Sequence, residues 1–148
     1  MKTIRTNSRN NDFIALVQEL DADLAIRDGD EHAFYAQFNT IDHLNHVLVL
    51  YLEEQPVGCG AIKEYDTAVM EIKRMYVKPD FRGQVLATKI LMELEIWAKE
   101  LGAEKCILET GLKQPEAIAL YLKNQYYRIS NYGQYQAVEN SVCFEKKL

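Results

Sequence analysis

The residues with the most chemical meaning fall between Glu71 and Thr88. A β-favouring run holding Ile72, Met75, Tyr76 and Val77 ends at Pro79. Arg82-Gly83 follows, and then apolar residues recur at Leu86, Ile90, Leu94, Trp97 and Leu101, which is one helical face. A strand that feeds a helix through an Arg-Gly turn gathers free backbone N–H groups and the positive end of a helix dipole at one point. Such a point is an anion site, most often for phosphate. Other groups are weaker candidates. Asp21, Asp23, Asp28, Asp30 and Glu31 cluster, as a solvated helix end or as an acceptor site for a cationic amine. His43 and His46 are three apart, but the segment runs directly into a strand and has no Cys or Glu partner nearby, so no metal site is expected. Cys59, Cys106 and Cys143 lie in apolar runs without an obvious basic neighbour to activate a thiolate, and read as reduced core residues.

The elements that must position these residues follow from periodicity. Phe13, Leu16, Val17, Leu20 and Leu24 mark a helix from Asn10 to Arg27, and Asp28-Gly29-Asp30 ends it and could cap a second short helix through Phe38. Residues 2–5 could form a first strand. Val47–Leu52 is apolar on both faces, as in a central strand. Val57–Tyr65 and Ala68–Lys78 complete an antiparallel meander, with Gly58 and Gly60 marking a bulge or a close backbone approach. After the long helix, with Gly102 as its stop, come a strand at Lys105–Thr110, a helix opened by Pro115 and ending near Asn124, and strands at Tyr126–Ile129 and Ser141–Lys146. The strand-helix-strand in the middle implies a right-handed crossover and a locally parallel pair. The expected fold is α/β (α+β): one domain over 1–148, with a mixed, mostly antiparallel sheet of six to seven strands and helices on both faces.

The chain carries a net charge of −5, which disfavours nucleic-acid or anionic-membrane partners. No secretory h-region or long apolar run occurs, so cytoplasm is the expected compartment.

From about Val47 onward the chain resembles the GCN5-related N-acetyltransferases, the GNAT superfamily. The resemblance rests on Glu71-Ile-Lys-Arg-Met-Tyr-Val-Lys-Pro-Asp-Phe-Arg-Gly-Gln-Val-Leu-Ala and on Pro115-Glu-Ala-Ile-Ala-Leu-Tyr-Leu-Lys-Asn-Gln-Tyr-Tyr. The six-residue pyrophosphate pattern of that family reads here Arg82-Gly83-Gln84-Val85-Leu86-Ala87. The resemblance implies acetyl-CoA as co-substrate and a splayed central strand pair. Arg82, Gly83, Gln84, Val85, Leu86, Ala87 and Thr88 would cradle pyrophosphate. Met75, Tyr76 and Val77 would hold the pantetheine arm, with Gln114 and Lys123 also on the cofactor side. Val85 stands where the family usually has Gly. It is expected to take helical φ in the first turn, at the cost of close backbone approach. Gln114 replaces a common Asn, and Gln125 a common Gly.

The resemblance also implies a reaction, acetyl transfer to a primary amine by direct attack. Tyr121 matches the helix tyrosine that can protonate the departing sulfur. Glu71, placed on the face of Met75 by two-residue alternation, is the first candidate base, and Glu109 the second. Asp28, Glu31, Tyr35, Glu109, Tyr132 and Tyr135 are the candidate acceptor-binding residues. The acceptor would be a small cationic amine, or a lysine or N-terminal amine of a peptide. The alternative is a CoA- or metabolite-binding module with weakened catalysis, for which Val85 is the motive. C-terminal edge strands could pair two copies into a homodimer.

Overall fold

A computed structural model describes residues 1–31, 33 and 43–148, with only the backbone of Glu31. Asn10 starts the first helix by accepting from the Phe13 N–H with its side-chain oxygen at 2.9 Å. That helix, α1, is Asn11–Asp28, and Gly29 at φ 55° stops it. A 3₁₀ turn at Gly29–Glu31 follows. Most of the second short helix expected through Phe38 lies outside the described residues.

Seven strands form one sheet among the described residues: β1 Lys2–Thr6, β2 His46–Leu52, β3 Gln55–Asp66, β4 Val69–Val77, β5 Lys105–Gly111, β6 Tyr127–Ile129 and β7 Ser141–Lys147. Their order is β1-β2-β3-β4-β5-β7-β6, so β1 and β6 are the edges. All neighbours are antiparallel except β4 and β5, which are parallel and joined through α2, Leu86–Glu100. A third helix, α3, is Pro115–Lys123, with Pro at its first position. The expected mixed sheet is present, and β2 lies inside it with Val47 to Leu50 buried on both faces.

The two faces have separate cores. Phe13, Leu16, Val17 and Leu20 of α1 pack on Val47, Val49, Cys59 and Tyr76. Ile90, Leu91 and Leu94 of α2 and Tyr121 of α3 pack on Leu48, Ile62, Ile72, Leu108 and Phe144. The buried stripe of α2 departs from the expected one. Leu91, Glu95 and Ala98 are inside, while Leu101 follows the helix and is exposed. Glu95 is buried with partners, since the Tyr126 hydroxyl and the Lys146 ammonium each donate to it at 2.8 Å. Gly58 and Gly60 let α2 approach β3. A Cβ on Gly58 would lie 2.8 Å from Ile90 Cδ1 and 3.0 Å from the Tyr76 carbonyl, and one on Gly60 would lie 2.8 Å from Leu94 Cδ1.

Two irregularities shape the centre of the sheet. Between Cys59↔Tyr76 and Ala61↔Lys73 the register shifts, so Arg74 and Met75 together oppose Gly60. Arg74 takes φ 58° there. The bulge changes the phase of β4, and this corrects the alternation expected from sequence. Met75 packs with the α2 core, as Ile72 does, and Tyr76 with the α1 core. Glu71, next to Ile72 and bonded to the loop before β7, therefore faces away from Met75. The second irregularity is a parting of strands. β4 and β5 pair only at Val69↔Lys105, Met70↔Cys106 and Glu71↔Ile107, and beyond these they splay.

Candidate active site

The parted strands open a cleft of ≈ 470 Å³ that runs from α1 to the start of α2. This is within the usual range for a small-molecule site. Met75, Tyr76 and Val77 line one side, and Glu109, Thr110 and Gly111 the other. Backbone groups of Ile72–Val77 that face β5 have no strand to pair with there.

At the α2 end the chain offers donors. Within the helix the first bond runs from the Lys89 N–H to the Val85 carbonyl, and the helix start has neither a side-chain cap nor an acid in its first turn. The N–H groups from Gly83 to Thr88 accordingly donate to no described residue. Gly83, Val85, Leu86, Ala87, Thr88 and Arg82 line the cleft, as do Gln114 and Lys123, while Gln84 is exposed beside it. Arg82 Nε donates to the Val77 carbonyl at 2.8 Å, which holds its guanidinium over the Tyr76 ring at 5.6 Å. Thr88 Oγ1 accepts from Asn124 Nδ2 at 3.4 Å. Val85 corrects the sequence expectation. It is not in the first helical turn but just before it, with φ 58° and ψ 19°, and its side chain is 67% exposed. A β-branched residue is strained in that left-handed region, where glycine is not.

Tyr121 reaches the cleft from α3 and is 6% exposed. Its ring is set by Tyr126 at 5.7 Å and Phe144 at 6.1 Å, and its hydroxyl makes no hydrogen bond to any described residue. Burial, and then the charge of Glu109, push its pKa above the ordinary tyrosine value.

On the α1 side the cleft is lined by Asp28, Glu71, Lys73, Glu109 and Tyr135. Glu109 accepts from the Ser141 hydroxyl at 2.6 Å. Burial is the largest cause that pushes its carboxyl up to about 7; Ser141 opposes the shift and Glu71 adds to it. Glu71 is 7% exposed and is fully engaged: Tyr132 donates to its Oε2 at 2.6 Å, and Lys73 Nζ lies 3.7 Å from its Oε1. Tyr132 thus sits behind Glu71 rather than on the wall of the cleft. Tyr35 lies outside the described residues, and so does the side chain of Glu31.

Much of the acidic cluster on α1 has structural partners. Arg74, with a side chain 2% exposed, donates to Asp21 at 2.6 Å, and its buried Nε has no partner among the described residues. Asp23 pairs with Arg27 at 3.2 Å, and Arg27 also pairs with Glu116 on α3, tying α1 to α3. Asp23 of that cluster lines the cleft, whereas sequence reasoning missed the cleft-lining role of Lys73 and Arg74. The pattern Lys73-Arg74 beside an apolar strand was the available signal, since two adjacent cations cannot both point to solvent from a regular strand. All three cysteines are buried, and burial pushes the thiols of Cys59 and Cys106 up to about 12 and that of Cys143 up to about 11.

Comparison with known proteins agrees with this geometry. The IAA acetyltransferase of Azospirillum brasilense is 37% identical over 93 residues, which is 62% of this chain and 61% of that protein. The chain matches less than two thirds of the length of the curated relatives, 46% in the uncharacterized N-acetyltransferase YjgM of Escherichia coli. Among solved structures, a Klebsiella pneumoniae protein assigned as an acyl-CoA N-acyltransferase is 32% identical with a TM-score of 0.84, covering 99% of this chain and 97% of its own. The PaiA N-acetyltransferase of Thermoplasma acidophilum, solved in complex with coenzyme A, shares the fold at a TM-score of 0.73 and 16% identity, covering 99% of this chain and 98% of its own. The model of the acetyltransferase (GNAT) family matches residues 13–126, and with that match the chain belongs to this family.

Proposed function

We propose that this chain transfers an acetyl group from acetyl-CoA to a primary amine by direct attack. The observation that carries this reading is the parting of β4 and β5 beyond Glu71↔Ile107, which opens one cleft onto the donor-rich start of α2, Tyr121 and Glu109. The residues present fit acetyl-CoA. N–H groups from Gly83 to Thr88, with Arg82 and Lys123, suit the phosphates. The unpaired edge of β4 at Met75–Val77 suits an amide-bearing arm, and Gln114 lines the same cleft.

Each remaining group then has a task. Glu109 takes a proton from the incoming ammonium. The neutral nitrogen forms a bond to the thioester carbonyl carbon, and the carbon–sulfur bond breaks. Tyr121 gives its proton to the departing thiolate and recovers one from the acylated nitrogen, which sheds its second proton to leave a neutral amide. A free backbone N–H of β4 near Met75 suits the developing oxyanion. Glu109 is preferred to Glu71 as the base, because both Glu71 oxygens already face Tyr132 and Lys73. High thiol pKa values argue against an acyl-cysteine intermediate. Asp28, Glu71, Glu109 and Tyr135 on the acceptor side favour a cationic small molecule or a peptide amine.

An amine panel with acetyl-CoA, followed by release of free thiol, tests the reading. Turnover with at least one cationic amine is expected, and Tyr121→Phe should lower kcat on the order of 100-fold while leaving CoA affinity in place. Tight CoA binding with no turnover beyond hydrolysis on any amine would favour the binding-module alternative, for which strain at Val85 is the supporting observation.

A further inference from the structure

Tyr132 belongs to the segment between β6 and β7, and it is held from several sides. Its ring meets Tyr65 at 5.1 Å and 76°, and Tyr135 at 6.0 Å and 90°. Asn131 Nδ2 pins the segment by donating to the carbonyls of Val138 at 3.1 Å and Ser141 at 3.0 Å. The Tyr132 hydroxyl is thereby aimed at Glu71 Oε2 from a rigid base. Glu71 stands on β4 opposite Ile107, two residues along β5 from Glu109. Nothing in the reaction requires a second buried carboxylate there.

We propose that Tyr132 is a positioning residue: its hydroxyl fixes the Glu71 carboxylate beside Glu109, and Glu109 receives the proton of the acceptor ammonium. This rests on the reading of the cleft as an acetyltransferase site. An anion kept close disfavours a second negative charge. Glu109 therefore holds its proton more tightly, and as a base it is matched to neutral pH rather than to acid. The other groups facing Glu109 are Ser141 and Cys143 on β7, Lys73 on β4, Asp28 on α1, Tyr121 on α3 and Tyr135 in the β6–β7 segment. Ser141 and Lys73 oppose the effect of Glu71, and Asp28 adds to it. Glu71 itself faces Lys73, Tyr132, Tyr135, Cys143 and Glu109.

The test is a carboxyl-carbon NMR titration of Glu109 in the free protein, beside the acid limb of kcat/KM. Glu71→Gln should move the Glu109 midpoint to lower pH by about one unit, and the acid limb with it. Tyr132→Phe, which keeps the ring contacts, should move both the same way by less. Glu109→Gln should abolish the limb and lower kcat on the order of 100-fold. A Tyr132 that only braces the fold would lower the melting temperature and leave the Glu109 midpoint in place; that result overturns the proposal. So does loss of the limb in Glu71→Gln, which would make Glu71 the base. The titration needs no turnover. A wild-type protein that acetylates no amine sinks the reading of the cleft, whereas unmoved midpoints sink the role of Tyr132 even in an active enzyme.

Discussion

At the end of β5, Glu109 accepts from Ser141, is partly buried and faces Glu71, so its charged form is disfavoured where it stands. Its pKa lies near 7 in the fold against an ordinary 4.5, which means that the folded chain binds more protons than the unfolded chain between those values. Stability from this group is therefore present in acid and is lost as pH rises toward 7. Glu109→Gln should be more stable than the wild type at pH 8, by on the order of 1–3 kcal/mol, and the gap should close as pH falls through 7 toward 4.5. Urea unfolding at several pH values checks this; a gap that widens in acid would refute it. That the residues at the start of α2 gather in one place was legible, because a Gly-containing turn and an apolar 3–4 spacing lie in one short stretch. The contact of Glu71 with Tyr132 was not, because it joins residues 61 apart in the chain. Sequence placed Tyr132 on the wall of the pocket; the fold puts its hydroxyl behind a carboxylate.

Strands and helices were legible to within a residue or two wherever periodicity was sustained. The start of α1, the meander and the glycine-dependent approach of α2 to β3 all follow from local pattern. The bulge falls opposite Gly60, where a bulge or a close approach was expected, but its extra residue on β4 was not legible, because Arg74, which takes φ 58°, is no glycine and is held by an ion pair to Asp21 on another element. That one extra residue on β4 was enough to reverse the expected face of Glu71 relative to Met75. Gly58→Ala should cost about 1–3 kcal/mol, since its Cβ would meet the Tyr76 carbonyl at 3.0 Å and backbone cannot step aside. A shift of the urea midpoint to lower concentration with an unchanged slope is the expected sign. Val85→Gly acts the other way. Relief of left-handed strain outweighs the added chain entropy of glycine, for a net gain of about 0.5–1 kcal/mol. It should also tighten CoA binding by bringing the backbone N–H groups closer, as isothermal titration can measure. Loss of stability would mean that Val85 rests comfortably at φ 58°.

The whole chain is acidic, at −5, yet the proposed co-substrate is an anion, so binding must come from the local field at the start of α2 rather than from net charge. CoA at about 100 times its Kd should stabilise the fold by roughly 2.7 kcal/mol. For a chain of this size that is a rise of about 5–15 °C in melting temperature. No shift at saturating CoA would count against a CoA site. The parting of β4 and β5 has one more consequence. Four strands, β1 to β4, and three, β5 to β7, are bound to each other along only three residue pairs, like two boards on a short hinge. A molecule laid in the gap would act as the missing slat. Amides of β4 that face the gap, having no strand partner, should exchange quickly with solvent and slow only when the slat is in place.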